Sequence, residues 1–371
     1  MPGLSIITAT HGRSRLVRVL LESLAAERHT VDFPTEVIIV DSSPPAEAQA
    51  IAAACQETEA LYHAHPRNNV REKRNLAVTA ARYDDILIVD SDCQAQPGLL
   101  REHYQSLRGD APIGGVIGVT RFIGPDSPVF RVIAKTSLLD AFAYAERHDH
   151  VPWGPTCNIS YRKAILTGIG LFDESFPFRL GGDDTDLGLR VTDSGYRIIS
   201  NPRAVVHHTK ETWNGIGLIA RRVFRWGRMH FHLMRKHPQR VYYDFPTLSG
   251  VVAVLYPAAI LLTALGVAPA ALLLLWLPLE LLLEAAIITR LLSYPLREWP
   301  AVVAARLLSL LFELGTLLEA ARHRSALPLV KEISYTPPSL PGRYRRIAQI
   351  WAMVLSLLVV LSLLLLLGGN R

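Results

Sequence analysis

Cysteine is scarce in this chain: among 371 residues there are three, Cys55, Cys93 and Cys157. They stand far apart, show no metal-ligand spacing and border segments that read as buried. Reduced core thiols are therefore expected, and neither a disulfide framework nor a cysteine metal site. No internal repeat is present, and the only low-complexity tracts are leucine-rich. The N-terminus runs directly into Leu4-Ser5-Ile6-Ile7-Thr8, with no basic leader and no apolar core of signal-peptide length, so this part is expected to stay in the cytosol. A glycine-rich phosphate loop is also missing, because Thr8-Ala9-Thr10-His11-Gly12 follows the first apolar run instead.

What is present divides in two. Up to about Phe245 charges, His, Pro and Gly recur every few residues, whereas 248–292 and 347–367 are dominated by Leu, Ala and Val. The net charge of +6 and the pI near 9.3 come partly from local clusters, Arg221, Arg222, Arg225 and Arg228, then Arg343, Arg345 and Arg346. Both clusters abut hydrophobic segments, which points to membrane lipids with anionic headgroups and not to nucleic acid.

In the mixed part, β-branched runs at Leu4 to Thr8, Val37 to Val40 and Ile86 to Val89 alternate with helical patterns over Arg15 to Ala26, Ala46 to Cys55 and Arg71 to Ala81. Such alternation predicts βαβ units and a mostly parallel, Rossmann-like α/β sheet. Ligands of open sheets bind beyond the carboxyl ends of the strands, so Thr8 to Gly12, Asp41 to Ser43 and Asp90 to Asp92 are the informative loops. A further helix is expected over Val129 to Arg147, and Asp183, Asp184 and Asp186 fall in the first turn of another, where the helix dipole favours acids.

Asp90-Ser91-Asp92 follows an apolar strand, and alternation turns its two carboxylates to one side. That arrangement suits Mg2+ or Mn2+ shared with diphosphate oxygens; a solvated strand end is the alternative. Asp41 can bind ribose or base, or close an Asx turn. Arg71, Lys73 and Arg74 can face phosphate, or form a solvated helix face.

Seven elements in order carry a resemblance: Ser5-Ile6-Ile7-Thr8, Val37 to Asp41, Arg74-Asn75, Ile88 to Asp92, Asn158-Ile159-Ser160, Gly170 to Glu174 and Asp183 to Leu187. Over about residues 3–210 the chain resembles family 2 of the inverting GT-A glycosyltransferases. The resemblance implies a GT-A domain that moves sugar from a nucleoside-diphosphate sugar. It also implies metal binding by Asp90 and Asp92, with His208 able to approach the metal, and donor contacts from Thr8, Thr10, Asp41, Arg74, Asp90 and Ser91. Asp184 inherits the catalytic-base role. Asp183 stands where the family carries Glu and is expected near the acceptor, and Asp186 is expected to be structural or acceptor-binding. For His207 and His208 a structural role stays open. Arg222-Val223-Phe224-Arg225-Trp226 is similar to the Gln-x-x-Arg-Trp of processive synthases, which makes Trp226 a candidate acceptor contact, but Arg replaces Gln.

The expected organisation is a catalytic domain over 1–212, an amphipathic interfacial helix and linker over 213–245, and an all-α membrane region over 246–371. Spans of about 20 apolar residues fit near 248–267, 270–292 and 347–367. Within the second, Glu280 and Glu284 share a helix face and flag a polar pocket or a headgroup contact, or else a segment that lies shallowly or faces another helix. Around 300–321, Arg306, Ser309, Glu313 and Thr316 form a stripe that predicts a helix lying in the interface. Ile216 to Arg235 is expected to lie in the interface too, with Ile216, Ala220, Phe224, Phe231 and Met234 on its apolar face. The positive-inside bias of the segment from Arg322 to Arg346 puts it and the catalytic domain on the cytoplasmic side of the cell membrane, and Gly368 to Arg371 outside. The acceptor is then lipid-linked or a membrane-proximal glycan. Rival functions are a processive polysaccharide synthase, an inactive transferase-like scaffold, and a sugar-nucleotide pyrophosphorylase, against which the missing glycine-rich loop argues.

Overall fold

The computed structural model describes residues 1–109, 112–176 and 181–368. The chain forms two compact units. One is Met1–Pro125 with Leu139–Thr212 and Tyr335–Pro337; the other is Asp126–Leu138 with Trp213–Ser334 and Pro338–Arg371. The chain thus changes unit at 212/213, and the two short exchanges carry no compositional signal.

The first unit begins Leu4–Thr10 (β1), Ser14–Arg28 (α1), Thr35–Asp41 (β2), Pro45–Glu57 (α2), Leu61–Ala64 (β3), Val70–Ala80 (α3), Asp85–Ile88 (β4), Cys93–Ala95 (β5), Leu99–Ser106 (α4) and Ile113–Ile123 (β6). After Pro128–Ile133 (α5), which belongs to the second unit, it continues with His150–Val151 (β7), Ile159–Arg162 (β8), Lys163–Gly168 (α6), Asp183–Asp193 (α7) and Arg197–Thr209 (β9). The strand order is β3-β2-β1-β4-β8-β6-β9-β5, with β7 beside β9. Pairs β1–β2, β1–β4, β2–β3 and β6–β9 are parallel, while β8 enters antiparallel between β4 and β6.

Period-2 alternation fills both faces of this sheet. Ile7, Ile38 and Val40 pack with Ala77 and Val78 of α3 and with Leu187 and Val191 of α7. Leu4, Ile6, Val37 and Ile39 pack with Leu20 and Leu24 of α1, Ile51 of α2 and Leu99 of α4. Each such side chain, fully withdrawn from water, contributes about 1.5–3 kcal/mol. Two-sided burial explains why the strands read as unbroken apolar runs.

The helix expected over Val129 to Arg147 is not continuous. It splits into α5 and a 3-10 turn at Asp140–Glu146. Thr136 is the physical reason: its hydroxyl donates to the Ile133 carbonyl at 2.6 Å and accepts from the Leu138 amide at 3.2 Å, offering the backbone a turn in place of a helix.

The second unit holds Ile216–Lys236 (α8), Val241–Tyr243 (β10), Leu248–Ala264 (α9), Trp276–Leu291 (α10), Trp299–Arg322 (α11), Leu327–Val330 (α12), Lys331–Ile333 (β11) and Leu340–Gly368 (α13). Among the described residues, three segments are long and apolar enough to cross a membrane: Ala270–Leu291, Leu296–Arg322 and Leu340–Leu366. This differs from expectation at two places. Helix α9, expected to span, has 17 residues, or about 26 Å at 1.5 Å per residue, short of a ~30 Å hydrocarbon core. Helix α11, expected to lie in the interface, meets the length and composition of a span.

The polar stripe of α11 explains the second difference. Arg306 is 6% exposed and bonded to Glu284 and Glu313, Thr316 donates to the Gly227 carbonyl at 2.9 Å, and Glu319 is 5% exposed. The exposed large apolar residues of α11 are Leu307, Leu314 and Leu318. The stripe faces the bundle, the reverse of an interfacial helix. Glu284 is thereby an ion-pair partner inside the unit. In α8 the buried line is Ile219, Val223, Gly227, His230 and Met234, while Ile216, expected on the apolar face, is exposed. A Cβ on Gly227 would come 1.8 Å from the Phe312 carbonyl oxygen, and one on Gly315 2.3 Å from that of Phe224. The two glycines let α8 and α11 cross backbone to backbone. The tail 369–371, on which the expectation of an exterior C-terminus partly rests, lies outside the described residues.

Candidate active site

The carboxyl ends of β1, β2 and β4 deliver the informative loops side by side, because parallel pairing sets Thr10 opposite Asp41 and Ile7 opposite Ile88. Beyond β4 come Asp90, buried Ser91 and buried Asp92. Asp92 accepts from Arg13 at 3.0 Å and from the Thr212 hydroxyl at 3.0 Å, and its other oxygen lies 3.3 Å from His208 Nε2. His208 Nδ1 stands 2.9 Å from the Thr209 carbonyl, which can only accept, so Nδ1 donates there and Nε2 is turned to the Asp92 carboxylate. A carboxylate and an imidazole nitrogen so placed can share a proton or a cation. The Asp92 carboxylate and the His208 imidazole are groups that a Mg2+ or Mn2+ ion accepts as ligands, whereas Asp90 is not among the ligand atoms that converge here. The Cys93 thiol is near as well, within 4.8 Å of both groups. Burial drives the free thiol far up, and a hard Mg2+ or Mn2+ ion takes oxygen and nitrogen donors ahead of sulfur.

Helix α3 settles the open alternative for its cations, since Arg71, Lys73 and Arg74 are 1%, 2% and 7% exposed. Arg74 donates to Asp183 at 2.6 Å, to Asp90 at 3.1 Å and to the Thr156 hydroxyl at 2.6 Å. Lys73 donates to the Thr10 carbonyl and, at 2.9 Å, to Ser42 Oγ; burial lowers its ammonium to about 8. Arg71 reaches the Phe176 and Gly181 carbonyls and lies 4.0 Å from Asp183.

Across from them α7 starts at Gly182, whose φ of 75° only glycine adopts without strain. The three acids of its first turn diverge in role. Asp183, expected at the acceptor, is buried and held by Arg74. Asp186 bonds Arg190 at 2.9 Å, which also clasps the Ile169 and Leu171 carbonyls, so its place is structural. Asp184 is half-buried and accepts from the amide of its neighbour Thr185 at 2.8 Å. Burial and the Asp183 charge raise its carboxyl to about 7, with Arg74 opposing. Burial also pushes Asp90 up, against Arg74, and Asp92 adds to the rise.

Other expected contacts have different work. The Thr8 hydroxyl, expected at the donor, donates to the Val89 carbonyl at 2.8 Å and pins β1 to the start of the Asp90 loop. Thr10 Oγ1 lies 3.3 Å from the Gly12 carbonyl. Asp41 accepts from the Ser43 amide at 2.9 Å and from the Tyr62 hydroxyl at 3.1 Å, so the Asx turn is realised. Asn75 exchanges bonds with Phe172, and Asn158 bridges the Val119 and Ala204 carbonyls between β6 and β9, so both motifs shape the frame. Trp226 belongs to the second unit and meets Trp213 at a tilt of 49° with ring centroids 6.2 Å apart, and Arg222 lies over the Trp213 ring. Arg13, Thr156 and Thr212 went unforeseen: a lone Arg or Thr in a loop carries no spacing signal.

Residues 5–169 match Glycosyl transferase family 2. The chain is 30% identical over 217 residues to the "Pre-mycofactocin glycosyltransferase" of Mycobacterium tuberculosis, covering 55% of this chain and 43% of that protein. It is 24% identical over 246 residues to the "Chondroitin synthase" of Escherichia coli, covering 56% and 34%. The chain therefore spans less than half of these relatives' length. A solved "Mannosyltransferase PcManGT from Pyrobaculum calidifontis in complex with GDP-Man and Mn2+" superposes with a TM-score of 0.50 at 20% identity, covering 83% of this chain and 87% of that one.

Proposed function

We propose, from the premise that residues 5–169 carry a glycosyl transferase family 2 domain of GT-A-like fold, that this protein transfers a sugar from a nucleoside-diphosphate sugar to a hydroxyl of a lipid-linked or other membrane-proximal acceptor. The observation that carries the reading is the Asp92–His208 pair, a carboxylate and an imidazole nitrogen 3.3 Å apart, next to Asp90, whose partner Arg74 also holds Asp183 in the first turn of α7. Asp90, Asp92 and His208 would hold a divalent cation. Such an ion supplies charge neutralisation for the departing diphosphate. Arg13 and Thr212 orient Asp92, and Arg74 orients Asp90 while keeping Asp183 ionised and out of the chemistry. Lys73 sets the loop after β1 against Ser42, where Asp41 shapes the nucleoside edge.

Asp184 is the general base: a carboxylate raised to about 7 is half ionised near neutral pH and takes the proton of the acceptor hydroxyl. The acceptor oxygen bonds to the anomeric carbon as the bond to diphosphate breaks on the opposite face, so configuration inverts. One base suffices, because the leaving diphosphate needs no general acid.

Three spans, Ala270–Leu291, Leu296–Arg322 and Leu340–Leu366, leave the basic stretch from Arg322 to Arg346 on the same side as the first unit. The positive-inside bias makes that side cytoplasmic, where nucleotide sugars are made. The test is a screen of nucleotide sugars, beginning with GDP-mannose because the solved mannosyltransferase binds it, for release of nucleoside diphosphate with and without chelator. Release that needs Mg2+ or Mn2+ supports the reading; full release in chelator, or none with any donor, removes it.

A further inference from the structure

We propose that His232, Glu319 and His323 form a binding site for a borderline transition-metal cation of the Zn2+ class, tying α8 to the C-terminal end of α11. The three side chains bring ligand atoms within 4.8 Å of one another. His232 Nε2 lies 3.0 Å and His323 Nε2 3.7 Å from the same oxygen, Oε1 of Glu319. Ligands around tetrahedral Zn2+, each about 2.0–2.1 Å from the metal, sit roughly 3.3 Å from one another, so small adjustments complete the geometry. The imidazole planes stand at 89° with centroids 5.4 Å apart, which lets their lone pairs converge without stacking.

Glu319 divides its oxygens between two tasks. Oε2 accepts from Arg228 at 2.8 Å and from Arg322 at 3.5 Å, while Oε1 faces the two rings. Arg228 thus fixes the carboxylate's orientation, as outer partners of metal ligands do. The His323 side chain is 39% exposed, leaving one side open for ion entry and for a water as fourth ligand. Arg235 meets His323 Nδ1 at 3.1 Å; being exposed, it can turn to solvent when that nitrogen takes the ring proton. Two nitrogens and one oxygen favour Zn2+, Co2+, Ni2+ or Cu2+ over Mg2+. The guanidiniums of Arg228, Arg235 and Arg322 sharpen that choice, because they repel hard ions held mainly by charge. These ligands all lie in the second unit, whereas Asp90, Asp92 and His208 lie in the first.

The test is equilibrium dialysis of chelator-treated full-length protein in detergent against ZnCl2, with metal counted per chain and melting followed in parallel. Wild type should take up one more Zn2+ than His232→Ala or His323→Ala, and only wild type should gain about 5 °C in Tm at saturating ion. His323→Cys should restore the uptake, because a thiolate is a good zinc ligand. His323 is partly exposed, so its replacement does not endanger folding. Equal uptake by wild type and His323→Ala, or no recovery in His323→Cys, would overturn the proposal.

Discussion

In α3 of the first unit Arg71, Lys73 and Arg74 are buried, and in α11 of the second Arg306, Thr316 and Glu319 are. Both helices therefore carry their most polar side chains inward, but the opposite surroundings make them do so. Helix α3 covers the carboxyl edge of a sheet, where carbonyls and the carboxylates of Asp90 and Asp183 accept from its cations. Helix α11 exposes leucines instead, as a segment long and apolar enough for lipid does, and its charges close on Glu284, Glu313 and Arg228. The buried cations of α3 thus gather at the strand ends, where the proposed donor site lies, whereas Arg306 of α11 ties helices of the second unit together.

Removing the central cation of each network should have the largest effect on stability. Arg74→Met leaves buried Asp183 with only Arg71, 4.0 Å away, as a cation and should cost about 3–5 kcal/mol, read from chemical denaturation of the first unit's signal. Arg306→Met should cost a similar amount in the membrane unit, yet spare donor binding, whereas Arg74→Met abolishes it. If both variants bind donor equally well, the division between the two networks fails.

A smaller effect sharpens the same comparison through pH. With the Asp184 carboxyl raised to about 7, its basic form is lost as pH falls, so kcat/KM should drop tenfold per unit below that point and level off above it. A profile flat from pH 5 to 8 would take Asp184 out of proton transfer.

Exposed cysteine substitutions perturb least and test the membrane side. Leu265, between α9 and α10, is 70% exposed, and Leu296, between α10 and α11, is 83% exposed. In cells, Leu296→Cys should react with an impermeant thiol reagent from outside and Leu265→Cys should not. The reverse pattern would make α9 a span and return α11 to the interface.

Much of this was legible in the sequence where one local pattern has one physical cause. β1, β2 and β4 announced themselves as apolar runs because their sheet is buried on both faces, and the acids at their ends followed from strand geometry. The direction of a polar stripe was not legible, since a helix pattern gives the stripe and not what lies outside it. That is why α11 was expected to face headgroups, and why the α3 cations stayed open. Arg13 and Thr212 reach Asp92 only through the fold, from 79 and 120 residues away along the chain. Thr8 and Asp183 read as contacts because their neighbours along the chain are site residues, although their own side chains are taken up by Val89 and Arg74.

The central claim is that Asp184 takes the acceptor's proton beside a donor held by Asp90 and Asp92. Asp184→Asn is nearly isosteric, so donor affinity and transfer can be measured on the same purified variant. The account predicts donor Kd within about twofold of wild type and transfer at saturating donor lower by about two orders of magnitude or more. Transfer unchanged at saturation with donor affinity collapsed would contradict it and make Asp184 a binding residue.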